Sequence, residues 1–190
     1  LAVAVVAVVG FFMIRGGNSS LAADERLQLE ITSPASRSTV TAPATTVTGI
    51  ISNAAAAVEV DETPVTVSSD GGFSREIALD YGSNRISVRA SGEGFTSSTR
   101  TITVTREMIL DVVEPVQDSV SEVDTITVHG TISDVAATIM VAGAAVAVAE
   151  DGTWSTQLNL YYPLTVINVT ASLDGIDPIT KLISIKRSAT

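Results

Sequence analysis

Few residues of this chain could perform catalysis or hold a metal. His129 is the only histidine among 190 residues and there are no cysteines, so thiolate metal sites, clusters of histidine ligands and cysteine nucleophiles are excluded. His129 follows the apolar Val128, and alternation along a strand directs neighbouring side chains to opposite faces. We therefore expect His129 to be a surface residue and not a catalytic base.

Acidic side chains are numerous but scattered. Aspartate and glutamate total 21 against 11 lysines and arginines, which gives a formal net charge of −10 and disfavours nucleic acid as a partner. No run has the regular oxygen spacing of a calcium loop, although calcium bridging through Glu107 and nearby loop acids is an alternative. Paired carboxylates for glycoside hydrolysis are another. We predict no catalytic residues, no metal site and no cofactor, and hence no enzyme.

A gapless internal repeat organises most of the chain. Residues from about 29 to 106 recur as residues from about 110 to 187 at a constant offset of 81, the separation of Pro34 from Pro115. A unit of this length is a whole small domain and not one turn of a solenoid. No acidic pair occupies equivalent interior positions in both copies, which argues against the carboxylate-pair alternative.

Both copies show the alternation of apolar and polar residues that is typical of half-buried strands. About seven short strands, each with one apolar face, can bury those faces only in a sandwich of two sheets. The predicted fold is therefore all-β, with two tandem Ig-like β-sandwich domains at 28–107 and 108–190. Asp70-Gly71 and Asp151-Gly152 predict tight hairpins, because both residues of such a turn tolerate positive φ.

One aromatic residue follows each predicted hairpin, Phe73 in the first copy and Trp154 in the second. With only eight aromatic residues in the chain, their equivalent placement predicts that each fills the core of its own domain. Gly49 and Gly130 lie inside predicted strands, where glycine marks a bulge or a close approach by another group. We expect that group to be the aromatic ring of the same domain.

These motifs carry a family resemblance. The first copy contains Val47-Thr48-Gly49, Asp70-Gly71-Gly72-Phe73 and Gly82-Ser83-Asn84-Arg85-Ile86, and the second contains Asp151-Gly152-Thr153-Trp154 and Ile167-Asn168-Val169. They resemble the bacterial Ig-like repeats similar to domain B of glucodextranase. The second copy departs from the pattern with Pro163 and Thr165 in place of Gly82 and Asn84. The resemblance implies stalk, spacer, adhesive or assembly domains of surface proteins, with no catalytic residues to transfer.

The chain opens with a hydrophobic segment. Residues 1–15 predict a hydrophobic helix followed by a linker at 16–27, and the helix would pack through Leu1, Val5, Val9 and Phe12. It could be part of a single-pass membrane anchor, the apolar part of a cleaved signal, or a filament core. A chain that begins at a non-methionine residue within an apolar helix resembles type IV pilin-like and archaellin-like subunits. The expected partners are thus the membrane or further copies of the chain.

Two kinds of surface site are predicted on the folded part and the linker. Asn18 and Asn168 satisfy the N-x-[ST] pattern of glycosylation sites. Tyr161, Tyr162 and Leu164 form a candidate contact patch for other surface proteins or copies of the chain, although a packed strand-end corner would also explain them.

The sequence as a whole predicts a non-catalytic structural protein of the cell surface. The two domains are joined by only a few residues without a glycine- and serine-rich tether, so we expect them to stack end to end with limited freedom. The hydrophobic helix would attach them outside the cell for assembly, spacing or adhesion. The alternatives are a pilin-like or archaellin-like filament subunit and, more remotely, an accessory carbohydrate-binding module.

Overall fold

The computed structural model describes residues 26–188, which fold into two β-sandwich domains with the same topology. This confirms the predicted all-β class and the two tandem sandwiches. Within these residues no helix has the length and apolar character needed to cross a bilayer. Several predictions lie outside the described residues: the helix at 1–15, most of the linker, the packing residues Leu1, Val5, Val9 and Phe12, and Asn18.

Domain 1 contains eight strands: β1 Leu29–Ser33, β2 Ser38–Val40, β3 Ala44–Ile51, β4 Ala57–Val60, β5 Thr63–Val65, β6 Gly72–Ala78, β7 Gly82–Ser91 and β8 Ser98–Arg106. They form a three-stranded sheet of order β1-β3-β6 and a five-stranded sheet of order β2-β8-β7-β4-β5. Strand β2 runs parallel to β8, and all other pairs in the domain are antiparallel.

Domain 2 repeats this arrangement: β9 Leu110–Glu114, β10 Ser119–Ser121, β11 Thr125–Ile132, β12 Thr138–Val141, β13 Ala144–Val146, β14 Thr153–Asn159, β15 Leu164–Leu173 and β16 Ile176–Arg187. Its sheets have the orders β14-β11-β9 and β10-β16-β15-β12-β13. Each domain has eight strands where about seven were predicted, because the chain changes sheets at Pro34 and Pro115. Proline has no N–H to continue the first ladder.

The inward-facing residues of the two sheets form a separate hydrophobic core in each domain. Phe73 and Trp154 are buried in their respective cores, as predicted. A Cβ built at Gly49 would overlap the Phe73 ring and the Glu30 carbonyl oxygen, and one at Gly130 would lie 2.5 Å from the Trp154 ring and overlap the Asp111 carbonyl oxygen. The expectation that the aromatic ring approaches each glycine is confirmed, and a backbone carbonyl oxygen of the neighbouring strand approaches it as well.

The turn prediction is correct in place but wrong in geometry. At Asp70-Gly71 only the glycine has a positive φ, and the turn closes through a hydrogen bond from Ser68 N to Gly72 O. The Asp70 carboxylate accepts a hydrogen bond from Gly72 N at 3.2 Å, so the side chain and not a mirror-image turn stabilises the reversal. Two-residue turns with positive φ at both positions lie instead at Asp61-Glu62 and Ala142-Gly143.

Candidate functional site at the inter-domain joint

Tyr81 of domain 1 contacts domain 2 through its ring and its hydroxyl. It lies in the connection between β6 and β7, at the end of domain 1, and its ring packs against the hydrophobic core of domain 2. Its hydroxyl donates a 2.6 Å hydrogen bond to Oδ2 of Asp134, in the loop between β11 and β12. A single side chain therefore makes both apolar and polar contact across the domain boundary.

Arg106 reinforces the same contact from the last residue of β8. Its guanidinium carbon lies 3.9 Å from the centroid of the Tyr81 ring, and Nη2 lies 3.1 Å from Oδ2 of Asp134. Nη1 donates to the Leu79 carbonyl oxygen at 3.2 Å, which fixes the arginine to its own domain. The side chains of Arg106 and Asp134 are only 13% and 19% exposed, so this ion pair is less screened than a surface pair.

Asp134 is held in place by its own loop. Its Oδ1 accepts a hydrogen bond from Ala136 N at 3.0 Å, the local geometry by which aspartate closes a turn. This leaves Oδ2 to accept from Tyr81 and Arg106 of the neighbouring domain. We call Tyr81, Arg106 and Asp134 the inter-domain joint.

The electrostatics of the joint follow from these contacts. The hydrogen bond from Tyr81 holds the pKa of the Asp134 carboxyl below its usual range, the Ala136 N–H and the Arg106 charge lower it further, and burial opposes them. Burial raises the pKa of Tyr81, and its hydrogen bond to Asp134 raises it further. The joint is thus an ionised carboxylate with a neutral phenol and a guanidinium.

The chain between the domains is also tied to both of them. Glu107 N donates to the Val40 carbonyl oxygen of domain 1 at 3.0 Å. Ile109 N donates to Ser133 Oγ at 2.8 Å, and Ser133 N returns a hydrogen bond to the Ile109 carbonyl oxygen at 3.0 Å. The residues between β8 and β9 are therefore bonded on both sides, and Ser133 directly precedes Asp134 of the joint.

The predicted site residues lie away from the joint. His129 is half-buried on β11, where we expected an exposed position, and its neighbours across the sheet are Ser155 and Glu114. Asn168 is exposed on β15, with Oδ1 accepting from the Thr170 hydroxyl at 3.0 Å.

Within residues 26–188 no three histidine or acidic side chains gather as a metal site, so calcium bridging at Glu107 gains no support.

The predicted contact patch lies at the opposite end of domain 2 from the joint. Its members Tyr161, Tyr162 and Leu164 are 72%, 64% and 48% exposed. Their role in binding stays a prediction.

The joint itself was missed in the sequence analysis. A signal for it exists, because both Tyr81 and Arg106 recur one repeat later as Tyr162 and Arg187. Asp134 does not recur, since the first copy has Asn53 at the equivalent position. A repeated tyrosine and arginine opposite an unrepeated acid is the pattern expected of a contact between successive copies.

The two sandwiches and their joint define a tandem Ig-like module. Domain B of glucodextranase is the family that matches, once over residues 27–108 and again over residues 109–188. The chain belongs to this family. A comparison with curated proteins finds no match. The comparisons lend no support to the pilin-like or archaellin-like resemblance of the N-terminal segment.

Several solved structures are similar. The fibronectin(III)-like modules of Clostridium thermocellum CbhA are 12% identical with a TM-score of 0.34, and the match covers 84% of this chain and 95% of that one. The immunoglobulin domains 1–5 of Sidekick-1 are 14% identical with a TM-score of 0.40, covering 84% and 39%. FdeC, an Escherichia coli adhesin, is 12% identical with a TM-score of 0.33, and the match covers 88% of this chain and 65% of that one.

Proposed function

We propose that this chain is a non-catalytic structural module of the cell surface, in which the inter-domain joint holds two Ig-like domains as one stiff spacer. The hydrophobic N-terminal segment would attach the spacer to the cell for assembly, spacing or adhesion. The observation that carries the proposal is the Asp134 carboxylate, which accepts hydrogen bonds from two side chains of the preceding domain.

The joint is suited to a mechanical role. Hydrogen bonds to a charged group contribute about 1.5 to 3 kcal/mol each when they are shielded from water, more than neutral ones. The apolar contact of Tyr81 with the core of domain 2 adds burial to this polar contact. Bending at the boundary would expose the ring and separate the ion pair, so the joint resists bending.

The acidic composition fits the same role. A net charge of −10 favours solubility and separation of neighbouring molecules, both useful for a domain pair presented to solvent. Membership of the glucodextranase domain B family supports a module that accompanies other functions and does not itself catalyse a reaction.

Trypsin treatment of intact cells that express the full chain tests both parts of the proposal. Trypsin cleaves after arginine, and the bond after Arg106 lies at the joint. We expect digestion of intact cells to release a fragment that spans both domains, because the bonds around residues 107–109 protect this site. In the Asp134→Ala variant the same treatment should yield separate domains.

Asp124→Ala is the matched control. Asp124 pairs with Arg187, the counterpart of Arg106, but lies at the far end of domain 2. The control fragment should remain intact. A chain that is cut only after cell lysis would contradict the surface location, and equal cleavage at Arg106 in all three proteins would contradict a stiff spacer.

A further inference from the structure

The far end of domain 2 repeats one half of the inter-domain joint. Tyr162 and Arg187 stand at the positions of Tyr81 and Arg106, one repeat later. Tyr81 packs against the next domain, whereas Tyr162 is 64% exposed. We call this surface, with Tyr161, Tyr162, Leu164 and Arg187, the free end.

The loop that carries Tyr162 is closed in the same way as the loop of Tyr81, despite the change of sequence. In domain 1, Asn84 Oδ1 accepts from Asp80 N at 2.9 Å. In domain 2, Thr165 Oγ1 accepts from Tyr161 N at 2.7 Å and donates to the Tyr161 carbonyl oxygen at 3.2 Å. Thr165 therefore takes the role of Asn84, and Tyr162 lies in a loop that is closed in the same way as the loop of Tyr81.

The free end is more apolar than the end of domain 1 that forms the joint. Tyr161, Leu164 and Val123 stand at the positions of Asp80, Ser83 and Ala42, and all three are exposed. They belong to one end, because Leu160 N bonds to the Asp124 carbonyl oxygen and Arg187 N to the Pro163 carbonyl oxygen. A group of exposed apolar residues beside a charged one is typical of an interaction surface.

Arg187 has a partner that it can exchange. It pairs with Asp124, whose side chain is 74% exposed, and the equivalent position in domain 1 is Pro43. The Arg187 side chain is 27% exposed, and an ion pair whose acid lies open to solvent contributes little to stability. A partner carboxylate that shields the guanidinium, as Asp134 shields Arg106, would therefore compete with Asp124 for it.

The chemistry of the partner follows from the joint. Asp134 uses Oδ1 to cap its own loop and offers Oδ2 to the tyrosine and the arginine. Asn53, at the equivalent end of domain 1, also caps its loop with Oδ1, bonded to Ala55 N at 2.9 Å, so it offers an amide nitrogen. An arginine donor requires an acceptor at this point, and the amide nitrogen is a donor.

A second copy of this chain is a poor partner for a further reason. Arg26 lies at the same end of domain 1 as Asn53, at the position that Glu107 occupies in the second repeat. Docking domain 1 on the free end would bring Arg26 towards Arg187, and like charges disfavour the contact.

We propose that the free end of domain 2 binds the end of a further Ig-like repeat that carries an aspartate at the position of Asp134, and so forms a second joint of the same kind. The inference rests on the joint described above and adds a partner to the proposed spacer. The free end recognises a loop carboxylate of the partner. One oxygen of that carboxylate accepts a hydrogen bond from the backbone of its own loop, as in Asp134.

Making the chain complementary to itself tests the inference. The double variant Arg26→Glu/Asn53→Asp gives domain 1 the charges of the corresponding end of domain 2. Sedimentation velocity of the full chain in a non-ionic detergent, over a range of concentrations and against wild type, measures the added association. We expect the double variant to associate with a dissociation constant at least about tenfold lower than wild type.

The control variants identify the surface that binds. Arg26→Glu/Asn168→Asp makes the same change of charge without an acid at position 53, and it should associate less strongly than the double variant. Adding Tyr162→Ala or Arg187→Gln to the double variant should abolish the gain. The inference is overturned if the double variant sediments like wild type. It is also overturned if the gain in association survives both added changes. None of these results bears on protection of the Arg106 site from trypsin, so the spacer proposal stands or falls separately.

Discussion

The carboxylate of Asp134 connects domain 2 to two side chains of domain 1. Its two oxygens accept hydrogen bonds from Ala136 of its own loop and from Tyr81 and Arg106 of the other domain. Removing this side chain would leave a phenol and a guanidinium without their shared acceptor. Losing a buried acceptor costs more than the mean contribution of a hydrogen bond, because the donors stay desolvated.

The joint should depend on pH in a defined direction. The pKa of Asp134 lies below its ordinary value of 3.8, so its contribution to stability is present above that pH and is lost as pH falls through the lower native pKa. The pKa of Tyr81 lies above 10.0, so its contribution is present below pH 10.0 and is lost as pH rises through the raised native pKa.

Comparison with Asp134→Asn measures this effect. Trp154 is the only tryptophan and reports unfolding of domain 2 by fluorescence in denaturant. The difference in unfolding free energy between wild type and Asp134→Asn should be constant from about pH 5 to pH 9. It should shrink as the pH falls below 3.8, because Asp134 then binds a proton in the unfolded chain while it stays ionised in the native state until its lower native pKa is reached. A difference that stays unchanged in acid would contradict an ionised Asp134.

Two glycines of domain 2 should respond differently to alanine. At Gly130 a Cβ would overlap the Asp111 carbonyl oxygen and press on the Trp154 ring, whereas at Gly143 it would meet open space. We expect Gly130→Ala to destabilise domain 2 by about 3 kcal/mol through overpacking. Gly143→Ala should cost only about 1 kcal/mol, the penalty of a left-handed conformation at φ +84. Equal losses in denaturant titrations would refute the packing explanation.

At the scale of elements, the strands were predictable and the turns less so. Alternation places Val58, Val60 and Ile86 in the core of domain 1, because the period of two is a property of any strand. The turn at Asp61-Glu62 carries no Asn-Gly or Asp-Gly signal, although both residues adopt positive φ. Two hydrogen bonds with Ser87, from Asp61 N and to Asp61 Oδ1, hold it there, and long-range contacts of this kind are invisible in a local pattern.

The conformation of Glu62 suggests a stabilising change. Its φ of +62 is unfavourable for a residue with a side chain, and the equivalent position in domain 2 is Gly143. We expect Glu62→Gly to stabilise domain 1 by about 0.5 kcal/mol, since relief of a strain of about 1 to 2 kcal/mol exceeds the entropic cost of glycine.

Calorimetry of the full chain measures this change, with Glu76→Gly in β6 as the matched control. Glu76 lies within a strand, where glycine removes packing and adds freedom to the unfolded chain, so the control should be destabilised. Similar losses for both variants would show that the turn at Asp61-Glu62 is not strained.

The repeat also explains why the joint was not predicted from the sequence. Residues at equivalent positions of the two copies share a structural role, and on this basis the sequence predicted that Phe73 and Trp154 belong to the cores. The joint depends on a difference between copies, Asp134 against Asn53, and on which end of one domain meets which end of the next. That arrangement depends on a three-dimensional contact between Tyr81 and domain 2, which no period in the sequence encodes.

Residues 26–188 form two equivalent domains with unequal ends. One end of each domain carries tyrosine and arginine, and the other carries aspartate in domain 2 but asparagine in domain 1. The polarity gives a direction to the stack, because each joint needs a donor end and an acid end. In the structural role proposed above, this polarity would extend the spacer in one direction only.

The distance between the two domains tests the central claim most directly. The chain has no cysteines, so Glu76→Cys and Gln157→Cys can be spin-labelled selectively at equivalent exposed positions of β6 and β14. Pulsed electron paramagnetic resonance of the full chain should give a single narrow distance distribution, which broadens when Asp134→Ala is added. A distribution that is already broad with Asp134 present, and unchanged by its removal, would contradict a stiff two-domain spacer.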